Sequence, residues 1–270
     1  MGARLRGWYS PSGLWLGLDA EDIKVDGEIL GRIPVGDDIE ELFQPRGRIK
    51  GAMALSWRSG EDSPAYSARL DLRGLRTRTK FYDARITDTA GQILIIGGRV
   101  VFRDVSGQIL PAEFGLPAGS CQPAGLRING VYNMHPESVD VRIEAQGLPV
   151  TARSVQEIPE AGEKIWEALR PSGFVDLELA VEDLAGEDTE PVFKALAQLR
   201  DVSLRAAPIP FDLRQLVGAV EIDNQRVRLR DVRGVIEQEG RTPQVAVRGT
   251  FDVDGDPREL TVEVTNLLMG

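Results

Sequence analysis

Apolar and polar residues alternate with period two along most of this chain. Val175, Leu177, Leu179 and Val181 alternate with Asp176, Glu178, Ala180 and Glu182, which predicts a strand with one apolar and one mainly acidic face. Met53-Leu55-Trp57, Tyr66-Ala68-Leu70-Leu72, Val220-Ile222 and Val245-Val247 follow the same rule. Gly97-Gly98 separates Ile95 from Val100, and Asn224-Gln225 separates Ile222 from Val227. Gly and Asn tolerate the positive φ that tight hairpins require, so both pairs are predicted turns between antiparallel strands. Helical signals are short. Asp37 is placed to cap a turn or two carrying Ile39, Leu42 and Phe43 before Pro45, and a matching element carries Ile165, Ala168 and Leu169 before Pro171.

The pattern also repeats over long range. G-Q-I-L-I-I-G-G-R-V-V-F-R-D-V-S-G begins at Gly91, and G-A-V-E-I-D-N-Q-R-V-R-L-R-D-V-R-G begins at Gly218, a separation of 127 (218 less 91). At that shift Ile95 meets Ile222, Arg99 meets Arg226, and Arg103-Asp104-Val105 meets Arg230-Asp231-Val232. Pro45-Arg46-Gly47 and Pro171-Ser172-Gly173 form a second anchor at 126. A near-constant offset over many positions marks a repeat architecture. Arg6-Gly7-Trp8-Tyr9, Asn129-Gly130-Val131-Tyr132 and Arg248-Gly249-Thr250-Phe251 share a Gly-x-aromatic core, each followed by a turn and another alternating segment. Residues 1–30 are therefore expected to be the tail of a preceding repeat, with units at 31–150 and 151–270. Each unit is predicted to hold about six antiparallel strands and one short helix.

The repeat also corrects a local reading. Pro191-Val192-Phe193-Lys194-Ala195-Leu196-Ala197-Gln198-Leu199 favours helix by propensity. Its partner Tyr66–Leu72 alternates as a strand, so Phe193, Ala195, Ala197 and Leu199 are expected on one face of a strand.

Composition changes this picture little. The 270 residues are 42% apolar and 27% charged, ordinary for a folded chain long enough to bury a core. The net charge of −10 argues against a nucleic-acid partner, because phosphate binding needs clustered cations. No apolar run reaches the ~18 residues of a transmembrane helix, and Pro11, Gly13 and Gly17 interrupt any signal-like core. The lone Cys121 excludes an internal disulfide and falls in a Gly- and Pro-rich loop insertion.

Candidate chemistry is sparse. Asp252, Asp254, Asp256 and Glu259 surround Gly255, but an EF-hand needs its glycine sixth rather than fourth, and a hairpin turn accounts for the run. Asp183 to Glu190 reads as an acidic hairpin tip. His135 is the only histidine, so neither a Ser-His-Asp triad nor a zinc site built on histidines can be assembled. The paired Arg99/Arg103/Asp104 and Arg226/Arg230/Asp231 patterns suit cross-strand charge pairing better than an anion site. No catalytic, cofactor-binding or metal-binding residue is assigned, and an enzyme is not expected.

With the Leu229-Arg230-Asp231-Val232 and Phe102-Arg103-Asp104-Val105 stretches and the Val247-Arg248-Gly249-Thr250-Phe251 strand in hand, nearly the whole chain resembles the AsmA-like family and the related TamB-type translocation and assembly proteins. The resemblance implies a mainly β fold of repeated antiparallel meanders forming a curled, groove-like extended sheet. It also implies a full-length protein anchored in a membrane of the bacterial envelope, reaching through the periplasm. Such proteins are thought to shield or conduct lipid acyl chains, or to assist outer-membrane assembly, with membrane or envelope proteins as partners of flanking regions. The anchor is not found in this chain, nor is the family's terminal domain.

A one-sided apolar sheet must bury that face against something. Two sheets can close on each other, which would make this a structural or adhesive repeat protein with a closed core. Alternatively the sheet curls around a trough for acyl chains, in which Leu55, Trp57, Leu70, Ile95, Leu177, Leu179, Phe193, Ile222 and Val262 line an apolar strip and stay partly accessible.

Overall fold

The computed structural model describes residues 3–31, 40–41, 44–61, 63–78, 84–134, 136–156, 162–183, 191–205, 212–237, 242–252 and 257–266. Among them the chain is mainly β. The first strands are β1 (Ala3–Ser10), β2 (Gly13–Val25), β3 (Gly47–Arg58), β4 (Ala65–Arg78), β5 (Arg85–Ile96), β6 (Arg99–Ile109), β7 (Ala124–Met134) and β8 (Glu137–Val150). They are followed by β9 (Ser172–Asp183), β10 (Val192–Leu204), β11 (Leu213–Asp223), β12 (Arg226–Ile236), β13 (Gln244–Asp252) and β14 (Pro257–Thr265). Helices are few and short among the described residues: α1 (Gly27–Leu30), α2 (Ala152–Gln156), α3 (Gly162–Leu169) and a 3-10 turn at Pro111–Phe114. Hydrogen-bonded neighbours follow chain order from β1 to β14. β1 through β6 pair antiparallel in succession, as do β10 through β14.

The chain divides into two compact units. One comprises residues 1–109, 126–142 and 182–191, the other residues 110–125, 143–181 and 192–270. This division follows spatial contacts and differs from the sequence repeat, which follows the backbone irregularities described next.

The strands β3–β6 and β9–β12 carry the same irregularities at the same places. Register breaks between Leu72 and Leu75 on β4 and between Leu199 and Val202 on β10. It breaks again from Thr87 to Gln92 on β5 and from Arg214 to Ala219 on β11. Positive φ recurs in step: Gly47 with Gly173, Gly74 with Asp201, Asp88 with Gln215, Gly91 with Gly218, and Asp104 with Asp231. These are β-bulges, in which an extra residue bends and twists the strand. The partner of the bulge has no room for a side chain. A Cβ on Gly91 would lie 2.5 Å from the Asp104 carbonyl oxygen, and one on Gly218 would lie 2.7 Å from that of Asp231. This explains why Gly and Arg-Asp-Val sit at fixed spacing in both repeats.

Both two-residue turns form where expected; the Gly-Gly turn uses positive φ, whereas Asn224 and Gln225 do not adopt it. Ile96 faces Arg99 across Gly97 and Gly98, whose φ values are 55° and 81°. Ile222 faces Val227, with the Asp223 carboxylate accepting the Gln225 and Arg226 backbone N–H groups at 2.9 and 2.8 Å. Residues 193–199 lie inside strand β10, so the alternation inherited from the repeat prevails over local helix propensity. Phe193, Ala195, Ala197 and Leu199 are half-buried, while Lys194 and Gln198 are exposed. The helix expected before Pro171 is α3, which carries Ile165 and Leu169; α2 before it had no distinct sequence signal. Asp37, Ile39, Leu42 and Phe43 lie outside the described residues, although Glu40 and Glu41 are helical.

The core is divided into clusters. Ile49, Leu72, Leu75 and Val105 pack with Val25 and with Leu30 of α1. Ala68, Ile95 and Val100 form a second group bordered by Tyr66, Tyr132 and Met134. In the other unit Val202, Leu216 and Val232 are buried beside Val175, Leu199, Leu229 and Val247. Phe114 of the 3-10 turn is 2% exposed, and its carbonyl accepts the Thr151 hydroxyl at 2.9 Å.

Candidate functional site

Residues directly opposite on neighbouring strands project to the same face, so register shows which side chains share a surface. In the first unit Leu16, Leu55 and Tyr66 lie in one row, and Leu14 faces Trp57. Gly51, Leu70, Ile93 and Phe102 form another row, and Ala68, Ile95 and Val100 a third. Leu55, Trp57, Leu70 and Ile95 therefore share one apolar face. Leu55, Trp57 and Leu70 are half-buried. Ile95 departs from the expectation of partial accessibility, being 2% exposed inside the Ala68–Val100 cluster.

The second unit repeats the arrangement. Ala195, Ile222, Val227 and Phe251 form one row, and Val220, Leu229 and Gly249 another. Val232, Val247 and Val262 form a third. Phe193 lies on this face by alternation with Ala195, and Leu177 and Leu179 by alternation with Val175. Leu177, Leu179, Phe193 and Ile222 are half-buried. Val262, on β14, is 53% exposed. The face also includes Leu14, Leu16, Ile93, Phe102, Val227, Leu229 and Phe251, which period-two counting from either turn would have found.

Burial varies along the strands. At the bulged ends Leu75 in the first unit and Leu216 in the second are 2% and 1% exposed, and beside the Gly97-Gly98 turn Ile95 and Val100 are buried as well, at 2% and 5%. The hairpin ends carry Trp57, Tyr66, Tyr132 and Met134, all half-buried, and the Trp57 indole N–H donates to the Glu61 carbonyl at 3.0 Å. One cause is visible in the first unit, where α1 sets Leu30 against the bulged end.

The other face is polar, and several of its arginines are paired. Arg228 and Arg230 both reach Glu221, at 3.3 and 2.8 Å. Arg248 holds Asp231 through Nε at 2.9 Å and Nη2 at 2.8 Å. Arg228, Arg230, Asp231 and Arg248 line a cleft of about 500 Å³, but the arginine charges are met by the Glu221 and Asp231 carboxylates. In the first repeat Arg99 donates to Asn133 at 2.9 Å, and the Asp104 backbone N–H donates to the Asn129 side chain at 2.7 Å. Shifted carboxylates belong to such surface pairs and turns. Hydrogen bonds from Arg48, Arg46 and Arg205 hold Asp22, Glu40 and Asp212 below the usual range, and the N–H groups at Gln225 and then Arg226 do so for Asp223.

Other sequence candidates remain apart. Cys121 is a half-buried free thiol. His135, residues 184–190 of the acidic tip, and Asp254, Gly255 and Asp256 lie outside the described residues. Among the described residues no cluster of three His, Cys, Asp or Glu side chains is placed to hold a metal. No helix among them is long and apolar enough to cross a membrane.

Fold and surface together define a class: a repetitive antiparallel β-meander whose units each present one apolar and one charged face. Comparison with protein-family models, curated proteins and solved structures finds no match.

Proposed function

We propose that the apolar faces of the two units are lipid-facing walls. In this reading the chain is a segment of a bacterial envelope protein of the AsmA-like or TamB type, non-enzymatic, membrane-anchored in full length and extending into the periplasm. It shields or conducts acyl chains, or assists outer-membrane assembly. The observation that carries the reading is the half-burial of Leu55, Trp57, Leu70, Leu177, Leu179, Phe193 and Ile222 along one face in each unit. An acyl chain laid there gains about 0.8 kcal/mol for each CH₂ removed from water. The acidic surface keeps the protein soluble and gives no footing to nucleic acid.

A second reading, a structural or adhesive repeat protein with a closed core, draws support from Ile95, which is sealed at 2% exposure. Lipid mass spectrometry of the purified chain, with Leu177→Asp and Ile222→Asp beside the parent, separates the two. The lipid reading expects co-purifying lipid in the parent, its reduction in both variants, and modest loss of thermal stability. Lipid-free parent protein with losses on the order of 3 kcal/mol or more in both variants, the cost of burying an unpaired charge, favours the closed core.

A further inference from the structure

The outer edge of β1 is unpaired among the described residues, and the repeat shows what belongs there. β1, β7 and β13 carry the same core: Arg6-Gly7-Trp8-Tyr9, Asn129-Gly130-Val131-Tyr132 and Arg248-Gly249-Thr250-Phe251. Their aromatic residues occupy the same face, Tyr9 opposite Leu14, Tyr132 against Ile95 and Val100, and Phe251 opposite Val227. Their exposures differ. Tyr132 and Phe251 are half-buried, whereas Tyr9 is 77% exposed, with Leu5 and Trp8 at 69% and 56%. β7 lies beside β6 and β13 beside β12; β1 has β2 on one side and, among the described residues, no strand on the other.

A polar signature accompanies the apolar one. Arg6 stands where Arg248 stands in β13. Arg248 grips Asp231, the positive-φ residue of the β12 bulge, while Arg6 is exposed with no hydrogen bond or ion pair among the described residues. Exposed edge groups are templates for an added strand.

We propose that the β1 edge is a docking site for a strand of a further repeat of the β6/β12 type: apolar residues alternating with arginine and ending in an aspartate at a bulge. The register follows from β12 and β13, where Val227 faces Phe251 and Leu229 faces Gly249. The incoming strand sets its corresponding apolar residues opposite Tyr9 and Gly7, and its bulge aspartate on the Arg6 guanidinium. A second copy of this chain does not offer that strand, because β6 and β12 are each flanked by neighbours on both sides. The inference does not depend on lipid binding.

The test adds the synthetic peptide Arg226–Ile236 in trans to the whole chain and follows hydrogen exchange of the Ala3–Ser10 amides. Saturating peptide should slow their exchange about tenfold or more. The peptide carrying Asp231→Arg, or the chain carrying Arg6→Asp, should weaken binding about tenfold. Combining the two should restore it, which a general loss of structure would not do. Arg6→Lys should retain most of the affinity, and circular dichroism confirms that each variant is folded. The idea is overturned by unchanged β1 exchange at millimolar peptide, by equal binding of the Asp231→Arg peptide, or by equal protection from the β14 peptide Pro257–Thr265. Concentration-dependent protection of β1 in the chain alone, without a peptide effect, assigns the edge to a second copy and also overturns it.

Discussion

The stretches β3–β6 and β9–β12 share one backbone plan and fill it with different side chains. Bulges, turns and positive-φ positions recur at separations of 126 and 127. Within that frame Thr89 answers to Leu216, Gly74 to Asp201, Gly51 to Leu177, and Arg85 to Asp212. Backbone collisions explain the difference in tolerance. A Cβ at Gly91 or Gly218 has nowhere to go, whereas a side chain on the apolar face needs only suitable shape and polarity to fit. Equivalent sites can also differ in environment: Ile95 is sealed and Ile222 is half-buried.

The strongest attack on the comparison is on its glycines. Gly91→Ala and Gly218→Ala should each cost about 2–4 kcal/mol, because φ near +130° and a carbonyl within 3 Å leave no relaxed alternative. Urea denaturation, with hydrogen exchange read separately on β5–β6 and β11–β12, measures both. A large loss at one site and none at the other would dissolve the equivalence.

Aspartate at the paired isoleucines should separate the repeats. Ile95→Asp is expected to cost about 3 kcal/mol or more, and Ile222→Asp about 1–2 kcal/mol, since the latter charge keeps contact with water. Equal losses in thermal and urea melts would mean that the two faces are equally closed.

A stabilising change is expected at Thr89. It is 5% exposed and its hydroxyl has no partner among the described residues, while Leu216 fills the matching place at 1% exposure. Thr89→Val should raise stability by about 1 kcal/mol by removing an unsatisfied buried hydroxyl. A lower urea midpoint for the variant would show that the hydroxyl has a function in the fold.

The smallest expected effect is electrostatic. Arg205 pairs with Asp212 at 2.8 Å, whereas the matching positions hold Arg78 and Arg85. The pair depresses the Asp212 carboxyl from its ordinary 3.8 in the folded state. Its stabilisation is therefore full above that value and is lost as pH falls through the lower folded value. Both side chains are partly or largely exposed, so salt should screen the effect. Asp212→Asn should remove a small acid-side slope in the second unit's exchange stability and leave the first unit unchanged.

Period-two alternation, the Gly-Gly and Asn-Gln turns and the 127-residue echo made the mainly β meander legible, including the strand from Phe193 to Leu199. These signals are local or compare the chain with itself, and backbone sterics translate them directly into strands and turns. The same alternation grouped Leu55, Trp57, Leu70 and Ile95 on one face, because side-chain direction has a fixed period in a strand. It could not rank their burial. Whether Ile95 is sealed while Trp57 stays half-open depends on which side chains from distant strands reach them, such as Tyr132 and Met134 beside Ile95. The reason for Arg-Asp-Val and its spaced Gly was equally hidden. Their sequence echo announced that something recurs, but only the pairing of strands revealed a bulged carbonyl against a backbone that has no room for a Cβ. The sequence by itself determined the strands and their repetition, whereas burial and charge pairing were decided by neighbours that meet only in the folded chain.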